Sequence, residues 1–104
     1  MADFEQVATV AEVPPGGRKS VIIDETPALL LRVGDNFYVI EDVCTHDGQP
    51  LTDGPLQGCE ITCPRHGARF DIRTGKPLCM PATEPVRTFE SEVRGNAVFA
   101  RPRD

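Results

Sequence analysis

Ten prolines and nine glycines divide this 104-residue chain into short pieces. No window sustains an apolar period of 3.6 residues over three turns, so long helices are excluded. Short runs of β-type residues stand between the breaks instead. The pattern predicts strands over residues 4–8, 19–23, 28–33, 37–41, 59–62, 69–72, 87–93 and 97–101. Gly34-Asp35-Asn36 and Arg94-Gly95-Asn96 join neighbouring strands as hairpins, and Thr74-Gly75 closes the run after Ile72. Many short strands with regular turns indicate an all-β sandwich or barrel-like fold. Phe37-Tyr38-Val39-Ile40 has no polar face, which predicts a strand buried on both sides. Phe89 and Val93 share a face that Ser91 interrupts.

Three stretches resist strand assignment: residues 12–17, 42–57 and the proline-rich 76–85. Long connections in a compact domain tend to be functional. The second of them holds half of a doubled phrase. The chain has two histidines, and each closely follows a cysteine: Cys44-Thr45-His46, then, after sixteen residues, Cys63-Pro64-Arg65-His66. Each pair lies at a strand-to-loop corner, and two such corners at one end of a sandwich can clamp a metal.

The length predicts a single domain, residues 1–104. The apolar run Ala28–Leu31 is far too short to span a bilayer, and the N-terminus shows no secretory signal. A cytoplasmic protein is therefore expected. The net charge of −5 argues against nucleic acid or an anionic membrane as partner. Cytosolic thiols stay reduced, so cysteines beside histidines read as metal ligands rather than disulfides. Two metal readings compete with a chance grouping of unrelated residues. A structural zinc accepts Cys₂His₂, but zinc-finger spacing keeps the cysteines together and the histidines together. Here each loop carries one of each. A [2Fe-2S] cluster with two histidines on one iron accepts the mixed arrangement.

Residues "CTHDGQPL" and "CPRHGARFD" resemble the two cluster-binding loops of Rieske proteins. The resemblance runs through Gly67, Phe70 and Thr74-Gly75-Lys76 to the proline-containing third loop, and covers about residues 37–101. It implies stacked antiparallel sheets with the ligand loops at one tip. It implies one [2Fe-2S] cluster per chain, with Cys44 and Cys63 on one iron and His46 and His66, through Nδ1, on the other. It also implies that the third loop, around Met80-Pro81-Ala82, covers the cluster, with Met80 and Pro81 shielding the sulfurs. Respiratory and photosynthetic members carry an extra cysteine in each loop; here those positions are Gln49 and Arg65. Ala68 and Phe70 stand where high-potential members place hydroxyls that donate to sulfur. These departures imply the low-potential class, the Rieske-type ferredoxins of ring-hydroxylating dioxygenase systems. Both histidines are used and no second domain remains, so the chain is not itself the oxygenase.

The resemblance implies a non-catalytic, monomeric one-electron carrier between a flavoprotein reductase and a terminal oxygenase. The alternatives are an accessory subunit of another redox complex, such as one like a nitrite reductase small subunit, and a redox sensor. Cys59 reads as a small core residue sharing a face with Ile61, with a Cys59–Cys79 bridge as the alternative. Cys79 is expected beside the cluster. Gly48 and Gly67 are expected to permit tight turns after the histidines. Glu41, Asp42 and Asp47 either meet a basic partner or solvate that end, and Arg65 either docks a partner or is neutral.

Overall fold

The computed structural model describes residues 3–65 and 67–103. Among these residues ten strands, β1 (Glu5–Thr9), β2 (Arg18–Ile23), β3 (Thr26–Val33), β4 (Asn36–Glu41), β5 (Leu56–Gln57), β6 (Glu60–Thr62), β7 (Arg69–Asp71), β8 (Pro77–Cys79), β9 (Thr88–Arg94) and β10 (Ala97–Pro102), form two antiparallel sheets. A short 3₁₀ turn, Val10–Glu12, follows β1. The larger sheet has the order β1-β10-β9-β4-β3-β2, and the smaller the order β5-β6-β7-β8. The all-β expectation holds, and all eight sequence-read strands are present with ends moved by one or two residues. Two strands were not foreseen: β5 inside the long 42–57 loop and β8 inside the proline-rich connection.

Strands β3 and β4 are the wall between two cores. They pair with Leu29 opposite Ile40 and Leu30 opposite Val39. Successive side chains on a strand point to opposite faces. Leu29, Leu31 and Ile40 therefore face one core, with Cys44, Leu51, Ile61, Cys63, Ala68, Phe70, Ile72, Ala82 and Val86. Ala28, Leu30, Phe37 and Val39 face the other, with Ala8, Val13, Val21, Ile23, Phe89, Val98 and Ala100. The absence of a polar face in Phe37–Ile40 is thus explained: each face lines a core. Fully burying such side chains stabilises by about 1.5–3 kcal/mol each. The second core lies within the curl of the larger sheet. The first joins the two sheets and contains both cysteines of the doubled phrase.

Val93 departs from its expected role. It is 45% exposed although it shares strand parity with buried Phe89 and pairs with the fully buried Val98. No helix among the described residues is long and apolar enough to cross a membrane.

Candidate metal centre

Two loops build the site. The first leaves the end of β4, where the Asp42 N–H donates to the Pro27 carbonyl at 3.1 Å. The second is the turn of the β6–β7 hairpin, flanked by the pair Thr62 and Arg69. The loops are closed by the same backbone bonds. In the first, the Cys44 N–H donates to the Gln49 carbonyl at 2.7 Å and the Gly48 N–H to the Cys44 carbonyl at 2.7 Å. In the second, the Cys63 N–H donates to the Ala68 carbonyl at 2.6 Å and the Gly67 N–H to the Cys63 carbonyl at 3.1 Å. The glycine four residues after each cysteine turns the chain through positive φ, +75° at Gly48 and +77° at Gly67. Neither position is crowded, so backbone conformation and not space requires glycine there.

This closure points both cysteines inward. Cys44 and Cys63 are 0% and 1% exposed. Their sulfurs, with a carboxylate oxygen of Asp47, lie within 4.8 Å of one another. Two thiolates on one tetrahedral metal, each bonded at about 2.3 Å, sit roughly 3.8 Å apart, so the donor pair fits a single metal atom. Burial pushes the Cys44 thiol up; the backbone N–H groups of His46 and Asp47 act against this, and the neighbouring Cys63 sulfur acts with it. A soft, buried sulfur pair of this kind selects thiophilic metals such as iron in iron–sulfur clusters or zinc.

The structure brings together two of the four expected ligands. His46 follows in the first loop and is exposed at the rim. His66 lies outside the described residues. Asp47 was read from sequence only as part of an acidic group, yet its carboxylate comes within ligand distance of both sulfurs. Its place directly after His46 was the available signal. Asp47 Oδ1 also accepts from the Gln49 N–H at 3.0 Å. Asp42 likewise turns into the loop, accepting from the Leu51 N–H at 2.7 Å and from the Thr52 hydroxyl. Both carboxylates therefore serve the loop itself.

The third loop differs from expectation. Met80 is 74% exposed and does not shield the buried sulfurs; Ala82, 5% exposed, is the residue of this connection that packs in their core. The Thr45 hydroxyl donates to the Glu84 carbonyl at 2.7 Å, tying this connection to the first loop. Cys79 stands beside the second loop, its thiol donating to the Gly67 carbonyl at 3.5 Å and accepting from Arg69 Nε at 3.4 Å. The Arg69 guanidinium holds this thiol below its ordinary range. Cys59 packs against the core as expected. It is a free thiol, as is Cys79. The strand register separates them: Cys59 meets Ile72 at one end of β7, and Cys79 meets Arg69 at the other. Between the two ligand loops lies a shallow cavity of about 180 Å³ lined by Gln49, Pro50, Asp53, Pro64 and Arg65.

The geometry has counterparts among known proteins. Residues 3–90 match the family model of the Rieske [2Fe-2S] domain. The 3-phenylpropionate/cinnamic acid dioxygenase ferredoxin subunit of Shigella boydii serotype 4 (strain Sb227) is 40% identical over 92 residues, covering 86% of this chain and 85% of its own length. The ferredoxin of carbazole 1,9a-dioxygenase from Nocardioides aromaticivorans IC177 superposes with a TM-score of 0.92 at 33% identity, over 98% of this chain and 100% of that one. A chain in the complex of reduced oxygenase and oxidized ferredoxin in carbazole 1,9a-dioxygenase superposes with a TM-score of 0.89 at 36% identity, over 96% of this chain and 95% of that one.

Proposed function

Because this chain belongs to the Rieske [2Fe-2S] domain family, we propose that it works, as one domain over residues 1–104, as the ferredoxin of a ring-hydroxylating dioxygenase system. It is a one-electron carrier that supplies a terminal oxygenase and has no catalytic centre of its own. The observation that carries this reading is the pair of buried sulfurs, Cys44 and Cys63, set within 4.8 Å by two loops of the same backbone design.

In this assignment Cys44 and Cys63 hold one iron, and His46 and His66 hold the other. When bound, the cluster supplies a site that accepts and releases one electron. The residues of the chain set its properties. The two thiolates lie in a buried core and His46 is exposed, so the histidine side is the one a partner reaches. Replacing two thiolates by neutral imidazoles removes negative charge and raises the potential above that of all-cysteine ferredoxins, which lie near about −400 mV. The fully buried Ala68 and Phe70 offer no hydroxyl to sulfur, which favours the lower part of the Rieske range. The electron donor is a flavoprotein reductase, and the carrier works in the cytoplasm as a monomer.

Absorption and EPR spectroscopy of the dithionite-reduced protein test the cluster. A colourless protein containing zinc would refute it. In His46→Cys and His66→Cys variants that retain the cluster, the midpoint potential falls, because each substitution adds a thiolate. An unchanged potential in both would refute the ligand assignment.

A further inference from the structure

The ligand loops are alike inside and unlike outside. The second is the end of a hairpin, and the ladder pair Thr62 and Arg69 holds its two stems together. The first has no such ladder. It leaves β4 in the larger sheet and returns to β5 in the smaller one, so its stems belong to different sheets. A loop of this length without cross-strand bonds needs another means of fixing Cys44 and His46.

Side chains supply it. Asp42, before the inner turn, accepts from the Leu51 N–H at 2.7 Å and from the Thr52 hydroxyl, both after the turn. Arg18, on β2 of the larger sheet, donates through Nη1 to the Thr52 carbonyl at 2.8 Å and to the Gly54 carbonyl at 2.6 Å. Thr52 is thus gripped at its hydroxyl by Asp42 and at its carbonyl by Arg18. Both bonding groups are part-buried, where hydrogen bonds to charged groups contribute most. Leu51, between the gripped atoms and the inner turn, is fully buried against Cys44 and Cys63.

We propose that Arg18, Thr52 and Asp42 form a positioning brace that replaces the missing ladder of the first ligand loop and so controls how firmly the cluster is held. The inference rests on the ligand assignment above in one respect: the braced loop must carry Cys44 and His46 as ligands. Charge and bonding have separate parts. Asp42→Asn keeps a carbonyl oxygen to accept from the Leu51 N–H, and its amide can donate to the Thr52 hydroxyl oxygen. Asp42→Ala keeps neither. Thr52→Val removes only the hydroxyl, and Arg18→Met keeps the aliphatic stem and removes the donors.

The test uses the cluster-loaded protein. Bleaching of the visible spectrum by a chelator gives the release rate, hydrogen exchange reports the Cys44 and Leu51 amides, and EPR reports the cluster. Thr52→Val, Arg18→Met and Asp42→Ala are expected to release the cluster about tenfold faster. That is the size expected from one lost bond to a charged group, as in Thr52→Val, and is the lower bound for Arg18→Met and Asp42→Ala, which lose two each. Exchange should rise at Cys44 and Leu51 but not at Cys63. Asp42→Asn, which keeps both contacts but not the charge, should keep the wild-type EPR line shape and release the cluster more slowly than Asp42→Ala. Wild-type release in all the variants would overturn the brace. So would a uniform loss of protection across both sheets, which marks general destabilisation, or faster release in Asp42→Asn equal to that in Asp42→Ala. His46→Ala separates the two levels: if it kept the wild-type spectrum, the ligand assignment would fail. If it lost the spectrum while the brace variants behaved as wild type, the brace alone would fail.

Discussion

The two cores make a prediction that ordinary stability reasoning does not. Phe70 and Phe89 are 0% and 2% exposed, the two largest side chains among those fully buried. Phe70 stands on β7 among Cys44, Cys63, Leu51 and Ala68. Phe89 stands on β9 in the other core, on the far side of the β3–β4 wall. Truncating a buried Phe to Ala costs about 3–5 kcal/mol, through lost transfer energy and the void left behind. A chain of this size is stable by only about 5–15 kcal/mol, so Phe70→Ala and Phe89→Ala each remove a large part of it. Their global costs should be similar; their effects on the cluster should not. The Phe70 void opens beside the two thiolates and lets water and loop motion in. The Phe89 void does not reach them. Guanidinium titrations of the loaded protein, followed by far-UV circular dichroism and by visible absorbance, distinguish the cases. In Phe70→Ala bleaching should precede loss of strand signal; in Phe89→Ala the two should coincide, as in wild type. Phe70→Leu and Phe89→Leu, with smaller voids, give the same comparison at lower cost. Early bleaching in the Phe89 variants, or coincident transitions in the Phe70 variants, would refute the separation of the two cores.

Gly75→Ala should be more than twice as destabilising as Gly95→Ala in urea titrations. Both glycines have positive φ, +81° and +62°, and a left-handed residue with a side chain costs about 1–2 kcal/mol. A Cβ at Gly75 would also lie 2.0 Å from the Val86 carbonyl oxygen, whereas one at Gly95 meets nothing within 4 Å. Acid stability should depend on Asp71, whose carboxyl is held below its ordinary range, chiefly by the Arg73 side chain. A depressed folded pKa means that this contribution is present above the unfolded value of about 3.9 and is lost as pH falls through the folded one. Arg73→Ala should therefore lower the urea midpoint at pH 6 and flatten its decline between pH 4 and 2; an unchanged decline would count against the pair.

What could be read from sequence follows from what each element needs. Strands with several apolar or β-branched residues, such as residues 28–33, carry their own signal. Strands β5 and β8 carry none: Leu56–Gln57 is two residues long and Pro77–Cys79 begins with proline. They exist because the β6–β7 hairpin offers free edges on both sides. The two-sided burial of β4 was legible because neither face holds a polar residue over Phe37–Ile40. The cysteines of the site were legible from spacing. The tight turns at Gly48 and Gly67 were legible too, but not that both loops close through the same backbone bonds to the cysteines. The exposure of Met80 and the burial of Ala82 could not be read, because the side that a loop residue presents depends on how β8 docks, which is a tertiary fact.

The burial of Cys44 and Cys63 also bears on why the site must hold a metal to be stable in its working form. The two sulfurs lie within 4.8 Å and are almost wholly withdrawn from water, and burying a bare anion is costly. The upward displacement of the Cys44 thiol is the same fact expressed as an affinity for protons. A bound cation reverses the balance: it supplies the opposing charge within bonding distance and displaces the thiol protons. Cluster binding is therefore coupled to proton release, and loading becomes more favourable as pH rises toward the thiol range. The backbone N–H groups of His46 and Asp47 face the Cys44 sulfur and favour its thiolate. They are too weak to overcome burial alone, but they add to a metal once it is present. The loop that carries Cys44 is thus shaped for a metal-bound sulfur, and the exposed His46 follows it two residues on.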